Sequence, residues 1–219
     1  MSRTAPIEQK SFAKNPSVGN IEWNAQRAEW KVWDGINKVQ TFVSDAFRFA
    51  KLDERSSVEG WSAELGSIAS SEFQYATDEL KVYAYKDGDS KLIKEGTYSD
   101  LKAELKEEGL NYYKIVYVML LDDVADIQVG SIVKLKLKGK TCNRWIDAKY
   151  TETANIKAEG SENIGRFYYP NFELVDITKH EIQEADDAYK TLQAYFNDSV
   201  VPTKEAEPES EEMLDDIPF

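Results

Sequence analysis

In "IVKLKLKGK", Lys134, Lys136, Lys138 and Lys140 fall at every second position. On a strand that spacing lines one face with ammonium groups and turns Val133, Leu135 and Leu137 to the other. The chemistry such a row offers is the neutralisation of regularly spaced anions. A plainer role for the same lysines is to solubilise an outer face or guard a sheet edge. In "LKVYAYK", Leu80, Val82 and Ala84 point one way and Lys81, Tyr83 and Tyr85 the other. A face of lysine and tyrosine opposite an apolar face suits single-stranded nucleic acid, because cations track phosphates and rings stack on unpaired bases at about 1–3 kcal/mol each. Arg48 and Lys51 in "AFRFAK", Trp61 in "SSVEGWSAE", and Arg144 with Trp145 in "CNRWIDAK" extend the set of candidates for single-strand binding. Most large aromatics are mainly buried, so some of these rings belong to a core.

Catalysis finds no comparable set. The single histidine, His180, lies at a helix start between Lys179 and Glu181, where exposure is the plain expectation. One His and one Cys cannot build a His- or Cys-rich metal site, which leaves only a carboxylate site for a hard cation. No phosphate-binding loop or dinucleotide fingerprint occurs. Asp122–Asp123 and Asp186–Asp187 are adjacent pairs, so neighbouring carboxylates diverge on either a strand or a helix. The expectation is a protein that is not an enzyme, with no cofactor and no metal.

The elements that position these residues follow from periodicity. "VQTFVSDAFRFAKLD" is β-branched and aromatic, and "ELKVYAYKDGDSKLIKEG" alternates on both sides of a Lys-Asp-Gly-Asp turn, which predicts a hairpin. "TYSDLKAELKEEGLNYY" switches to helical spacing, with Ser99 as the expected N-cap and Gly109 as the stop. "YYKIVYVMLL" and "GSIVKLKLKGK" read as strands, and "IGRFYYPNFELVDI" as one or two more. Thr178 and Glu181 form a capping-box pattern ahead of Ile182, Ala185, Tyr189, Leu192 and Phe196 at helical intervals. Near the N-terminus, Trp23, Trp30 and Trp33 are spaced seven and three apart, which predicts one face of a short helix.

The expected fold class is therefore mainly β with helices: an OB-fold-type β-barrel with a helix between strands, a C-terminal helix and a disordered acidic tail. Other mixed β folds share that order of elements. The expected organisation is an N-terminal arm with the tryptophan segment over 1–37, a core over 38–178, an amphipathic helix over 179–198 and a tail over 199–219.

The chain has 219 residues and a net charge of −13, which at first argues against a nucleic-acid partner. The distribution alters that. Residues 203–219 carry one Lys and seven acids, a net of −6, leaving −7 on residues 1–202, and within these residues 131–150 are net +5. The N-terminus has no apolar stretch of a signal peptide and no segment approaches a membrane span, so the expected location is the cytoplasm of a bacterial cell or infected bacterial host, with no membrane partner.

The ending "EEMLDDIPF" carries a resemblance. "DDIPF" at 215–219, after an acidic stretch, closely resembles the C-terminal tip of bacterial single-stranded DNA-binding proteins. In that family an OB-fold core binds single-stranded DNA, and the tip docks onto replication, recombination and repair enzymes. The resemblance implies partner docking through Asp215, Asp216, Ile217, Pro218 and Phe219. Phe219 and Ile217 suit a shallow apolar pocket, Pro218 restricts the backbone, and Asp215 and Asp216 steer toward a basic rim. "SSVEGWSAELGSIASSEF" followed by "KEGTYSDLKAELKEEGLNYYKIVYV" resembles the divergent single-stranded DNA-binding proteins of bacteriophages. Because the core departs from the typical bacterial pattern, no DNA-contacting residue carries over by position, and a homo-oligomer is left open. The function expected is sequence-tolerant binding of single-stranded DNA in DNA replication, recombination and repair. The competing reading is an interaction adaptor whose tail mimics the tip.

Overall fold

Alternation, rather than helical spacing, governs the N-terminal segment. A computed structural model describes residues 15–148 and 154–199. In it β1 (Gly19–Asn24) and β2 (Glu29–Asp34) form an antiparallel hairpin in which Trp23 and Trp30 face each other. The expected short helix is thus corrected to two strands. Trp30 and Val32 point to the core while Trp33 points out: the spacing of seven sets Trp23 and Trp30 opposite each other across the hairpin, and the odd spacing of three puts Trp33 on the other face. The segment is not an arm either, since β1 pairs in parallel with β9 (Ile132–Lys138) inside the main sheet.

The remaining elements are β3 (Val39–Val43), β4 (Phe47–Ser62), β5 (Gly66–Ser70), β6 (Glu79–Lys86), β7 (Asp89–Thr97), α1 (Tyr98–Glu107), β8 (Asn111–Leu120), α2 (Gly139–Asp147), β10 (Asn155–Ile164), β11 (Phe167–Leu174) and α3 (Lys179–Ser199). All eleven strands join one sheet in the order β3-β2-β1-β9-β8-β4-β5-β6-β7, with β10 pairing β4 and β11. The ladder is open, but it coils. The Tyr168 amide of β11 donates to the Ala25 carbonyl at 2.9 Å, and Trp23 Nε1 donates to the Tyr168 carbonyl at 2.7 Å, so the β10–β11 hairpin closes onto the β1–β2 turn. The result is the expected mainly β fold of OB-barrel type, extended by a second lobe.

β4 links the lobes. It runs 16 residues, pairs with β10 at its start and β5 at its end, and pairs with β8 from Phe49 to Glu59. Its register with β8 shifts between Lys51 and Asp53, and this bulge swaps the inward parity. Phe47 and Phe49 face the barrel core before it; Ser56 and Val58 face inward after it. The barrel core is built on Trp23, Trp30, Phe47, Phe49, Val133, Leu135, Leu137 and Ile156. Trp30 meets Trp23 and Phe47 edge-on at 4.9 and 5.5 Å, each such pair worth about 0.5–1.5 kcal/mol beyond its buried area. A second core packs α1 under β5–β7 through Leu80, Val82 and Leu105. A third seats α3 on β4, β8 and β9 through Leu192, Tyr195 and Phe196.

Local signals explain most boundaries. The β6–β7 hairpin turns on Asp87-Gly88, as its sequence predicts. α1 is capped by Thr97, whose hydroxyl accepts from the Asp100 amide, two residues earlier than the expected Ser99. The α3 capping box forms as read: the Thr178 amide donates to Glu181 Oε2 at 2.8 Å, and the Glu181 amide to Thr178 Oγ1 at 3.2 Å. β9 ends at Lys138, because Gly139 takes a positive φ of 54° and redirects the chain into α2. Among the described residues no helix is long and apolar enough to cross a membrane.

Candidate nucleic-acid interface

The outward residues of β4, β5 and β6 share one face. Trp61 lies opposite Ser67, and Ser67 opposite Tyr85, so Trp61 and Tyr85 flank β5 at about two strand spacings, roughly 10 Å. Trp61 is 71% exposed and Tyr85 46%. Tyr83 stands beside Tyr85 with ring centroids 6.4 Å apart, and Leu92 of β7 lies exposed opposite Tyr83. Lys81 completes the stripe and pairs with Glu95 at 3.1 Å, both half-exposed. The alternation of "LKVYAYK" is as the sequence implies: Leu80, Val82 and Ala84 are buried beneath. Trp61 is the penultimate residue of β4 rather than part of a loop, and it is the most exposed of the tryptophans.

The same sheet face continues to the lysine row. Lys134, Lys136 and Lys138 of β9 lie opposite Tyr117, Ile115 and Tyr113 of β8. Their ammonium groups sit 5.2 Å from the Tyr117 ring for Lys134, and 4.9 and 5.3 Å from the Tyr113 ring for Lys136 and Lys138. Each also has a carboxylate. Lys134 pairs with Glu72 at 2.6 Å, Lys136 with Glu59, and Lys138 with Glu22 at 2.6 Å. The row is therefore an alternating charge ladder rather than a bare cationic stripe. Burial first, then the Glu72 carboxylate, pushes the Tyr117 hydroxyl far up, so it stays protonated and donates to Glu72 at 2.8 Å. For Lys138, burial alone would lower the pKa; the hydrogen bonds to Glu22 and Tyr113 outweigh it and hold the group charged. Over the far end of this face lies α3, with Phe196 edge-on to Tyr117 and stacked on the Arg55 guanidinium at 4.0 Å.

The other candidates are elsewhere. Lys140 is not on the strand: it opens α2, exposed, 5.5 Å from the Tyr169 ring. Arg144 lies along the same helix, bonded to Asn171 at 3.1 Å and to Glu162. Trp145 is corrected to a core residue. It is 2% exposed, stacks on Phe49, meets Phe172 edge-on, and donates to Glu54 at 3.0 Å. Its basic neighbours in sequence are its neighbours around a helix, and helix α2 turns the ring inward. Lys51 is likewise buried, bonded to Glu54 at 3.0 Å, which removes it from a surface role. Arg48 ties β4 to Asp122 at 2.9 Å and to Glu181 of α3 at 3.2 Å, a clamp at the opposite end of β4 from Trp61. Asp215, Asp216, Ile217, Pro218 and Phe219 lie outside the described residues. His180 is exposed on α3, as expected.

Sequence reasoning missed the glutamates of the ladder. Glu72 and Glu59 are 62 and 77 positions from their lysines, so only the strand order brings them together. Tyr113 and Tyr117 were findable: in "YYKIVYV" they alternate with Tyr112 and Val116 on the opposite parity.

The half-buried Glu54 predicts an acid limb of stability. Burial raises its pKa, but hydrogen bonds from Lys51 and Trp145 and the charges of Lys51 and Lys114 together hold it below the ordinary glutamate value. A carboxylate so held takes its proton at lower pH folded than unfolded, so its contribution is complete above the ordinary glutamate range and is lost as pH falls through the folded pKa. Thermal unfolding from pH 7 to pH 3 should show a steeper fall in Tm for wild type than for Glu54→Gln.

No family model, curated protein or solved structure matches this chain.

Proposed function

We propose that this protein binds single-stranded DNA without sequence preference and serves DNA replication, recombination and repair, in keeping with the phage-type resemblance of its sequence. The observation that carries the reading is the outward face on which Trp61 and Tyr85 are exposed and Tyr83 is half-buried beside Tyr85, held on neighbouring strands over the core. Three rings on one sheet face suit unpaired bases, which stack without regard to sequence. Lys81 flanks the rings, and the β9 lysines continue the face. The acidic segment 203–219 recruits partner enzymes through Asp215, Asp216, Ile217, Pro218 and Phe219.

The carboxylate ladder sets how the lysines act. A phosphate approaching Lys136 must displace Glu59, so the strand carries its own competitor. Glu59→Gln is expected to raise affinity for oligo(dT) and to steepen the dependence of log K on log salt by about 0.7, one further phosphate contact. Fluorescence anisotropy of a labelled oligo(dT) over a salt series reads both quantities.

The ladder also favours a second reading, an adaptor whose body binds protein, since three neutralised lysines offer a weak phosphate track. Anisotropy separates the two. Single-strand binding predicts saturable binding of labelled oligo(dT), weakened by salt, and much weaker binding of duplex of equal length. An adaptor predicts binding of neither.

A further inference from the structure

Topology brings α1 and α2 to the same end of the sheet. α1 ends where β8 begins, α2 begins where β9 ends, and β8 and β9 are antiparallel neighbours. Between the helices lies a groove of about 610 Å3. Its floor is apolar, with Tyr98, Leu105 and Leu110; Lys102, Lys106 and Lys138 line it, and no carboxylate does. Lys138 already pairs with Glu22 at 2.6 Å, so Lys102 and Lys106 are the lining's cations that matter here.

α1 arranges its charges by face. Glu104 and Glu108, four residues apart, bracket Lys94 of β7 at 2.5 and 2.8 Å. Lys102 and Lys106 are also four apart and exposed, a spacing at which like charges repel. Among the described residues neither has a carboxylate partner. The glutamate pair has its counter-charge within the protein; the lysine pair faces a groove open to an anion from outside. Across the groove, the first turn of α2 has no acidic residue and no side-chain cap.

The groove adjoins the aromatic face. The floor itself packs under the other side of β4: a Cβ on Gly60 would fall 2.4 Å from Leu110 Cδ2, while the next residue, Trp61, points to the aromatic side, so the two meet only around the end of β8. Asn111, which lines the groove, pairs with Glu59 across β8 and β4.

We propose that this groove takes the phosphates of the same single strand whose bases stack on Trp61, Tyr83 and Tyr85, an inference that rests on the proposed function. Lys102 and Lys106 neutralise phosphates at the rim, and the apolar floor receives the sugar and base between them. The strand then runs from the β4–β6 face over the end of β8 and between the helices, so the cationic part of the footprint lies in the groove and the β9 ladder is secondary.

The test compares the full chain with Lys102→Gln/Lys106→Gln, using labelled oligo(dT) over a salt series. Both side chains are exposed, and an unchanged Tm verifies the fold. The expected result is weaker binding of oligo(dT) and a log–log salt slope shallower by about 1.4, two phosphate contacts, with the same tryptophan quenching at saturation. Unchanged affinity and slope, while wild type binds, overturn the groove and leave the Trp61 face standing. A wild type that binds no oligo(dT) overturns both. If the variant binds more tightly, and removing residues 203–219 from wild type gives the same gain, the groove holds the chain's own acidic segment and the inference is overturned.

Discussion

Trp145→Ala is expected to destabilise the protein by about 3–5 kcal/mol, the range for removing a large buried aromatic. Three losses combine. The indole leaves a cavity between Phe49, at 6.2 Å, and Phe172, at 5.3 Å. Its Nε1–H no longer donates to Glu54, whose remaining partners are Lys51 and Lys114. The helix that carries it also loses its main anchor to the barrel, since Trp145 and Cys142 are its apolar buried residues. Trp145→Phe restores most of the volume but not the donor, and about 1–3 kcal/mol of the loss should remain for the buried polar group left short of a partner. Urea unfolding reads both variants. A Trp145→Ala protein as stable as wild type but impaired in oligo(dT) binding would place the ring at an interface rather than in the core.

Trp61→Ala should show the reverse. The ring is 71% exposed, so stability should stay within about 0.5 kcal/mol of wild type. Affinity for oligo(dT) should fall by about 1–3 kcal/mol, one stacked base, which is roughly 5- to 150-fold in Kd. Tyr85→Ala should cost a similar amount. Because β5 separates the two rings, at about 10 Å, the two losses should add to within a few tenths of a kcal/mol. Strong non-additivity would mean that the rings grip one base together rather than two in succession. A Trp61→Ala variant that binds as wild type does would remove the stacking face.

The contrast between these two tryptophans marks how far the sequence was legible. Strict alternation exposed the right residues: in "LKVYAYK" and "IVKLKLK" the inward and outward sets are as read, because one buried face fixes the register. The Asp-Gly turn and the Thr178–Glu181 box likewise act through neighbours in sequence. Long-range pairing is where sequence reading stopped. Whether Trp23, Trp30 and Trp33 belonged to a helix or a hairpin depended on β9 offering β1 a parallel partner more than 100 residues away. Helix α2 was hidden because "KGKTCNRWID" continues an alternating strand, and only Gly139 signals the turn. Arg48 and Lys51 are near in sequence and apart in role, since three positions along β4 put them on opposite faces of the strand. The charge of the lysine row is the feature least legible from the sequence. Net +5 over residues 131–150 says nothing of the three glutamates that the fold sets against it.

The central claim is that bases stack on the Trp61 face. Intrinsic tryptophan fluorescence tests it most directly, because Trp23, Trp30 and Trp145 are buried and Trp61 is far more exposed than Trp33. Wild type and Trp61→Phe are titrated with oligo(dT) and with duplex of equal length. The account predicts quenching of wild type by oligo(dT) alone, reversed by salt and largely absent from Trp61→Phe. Equal quenching in both proteins, or none in wild type with oligo(dT) in excess, would contradict it.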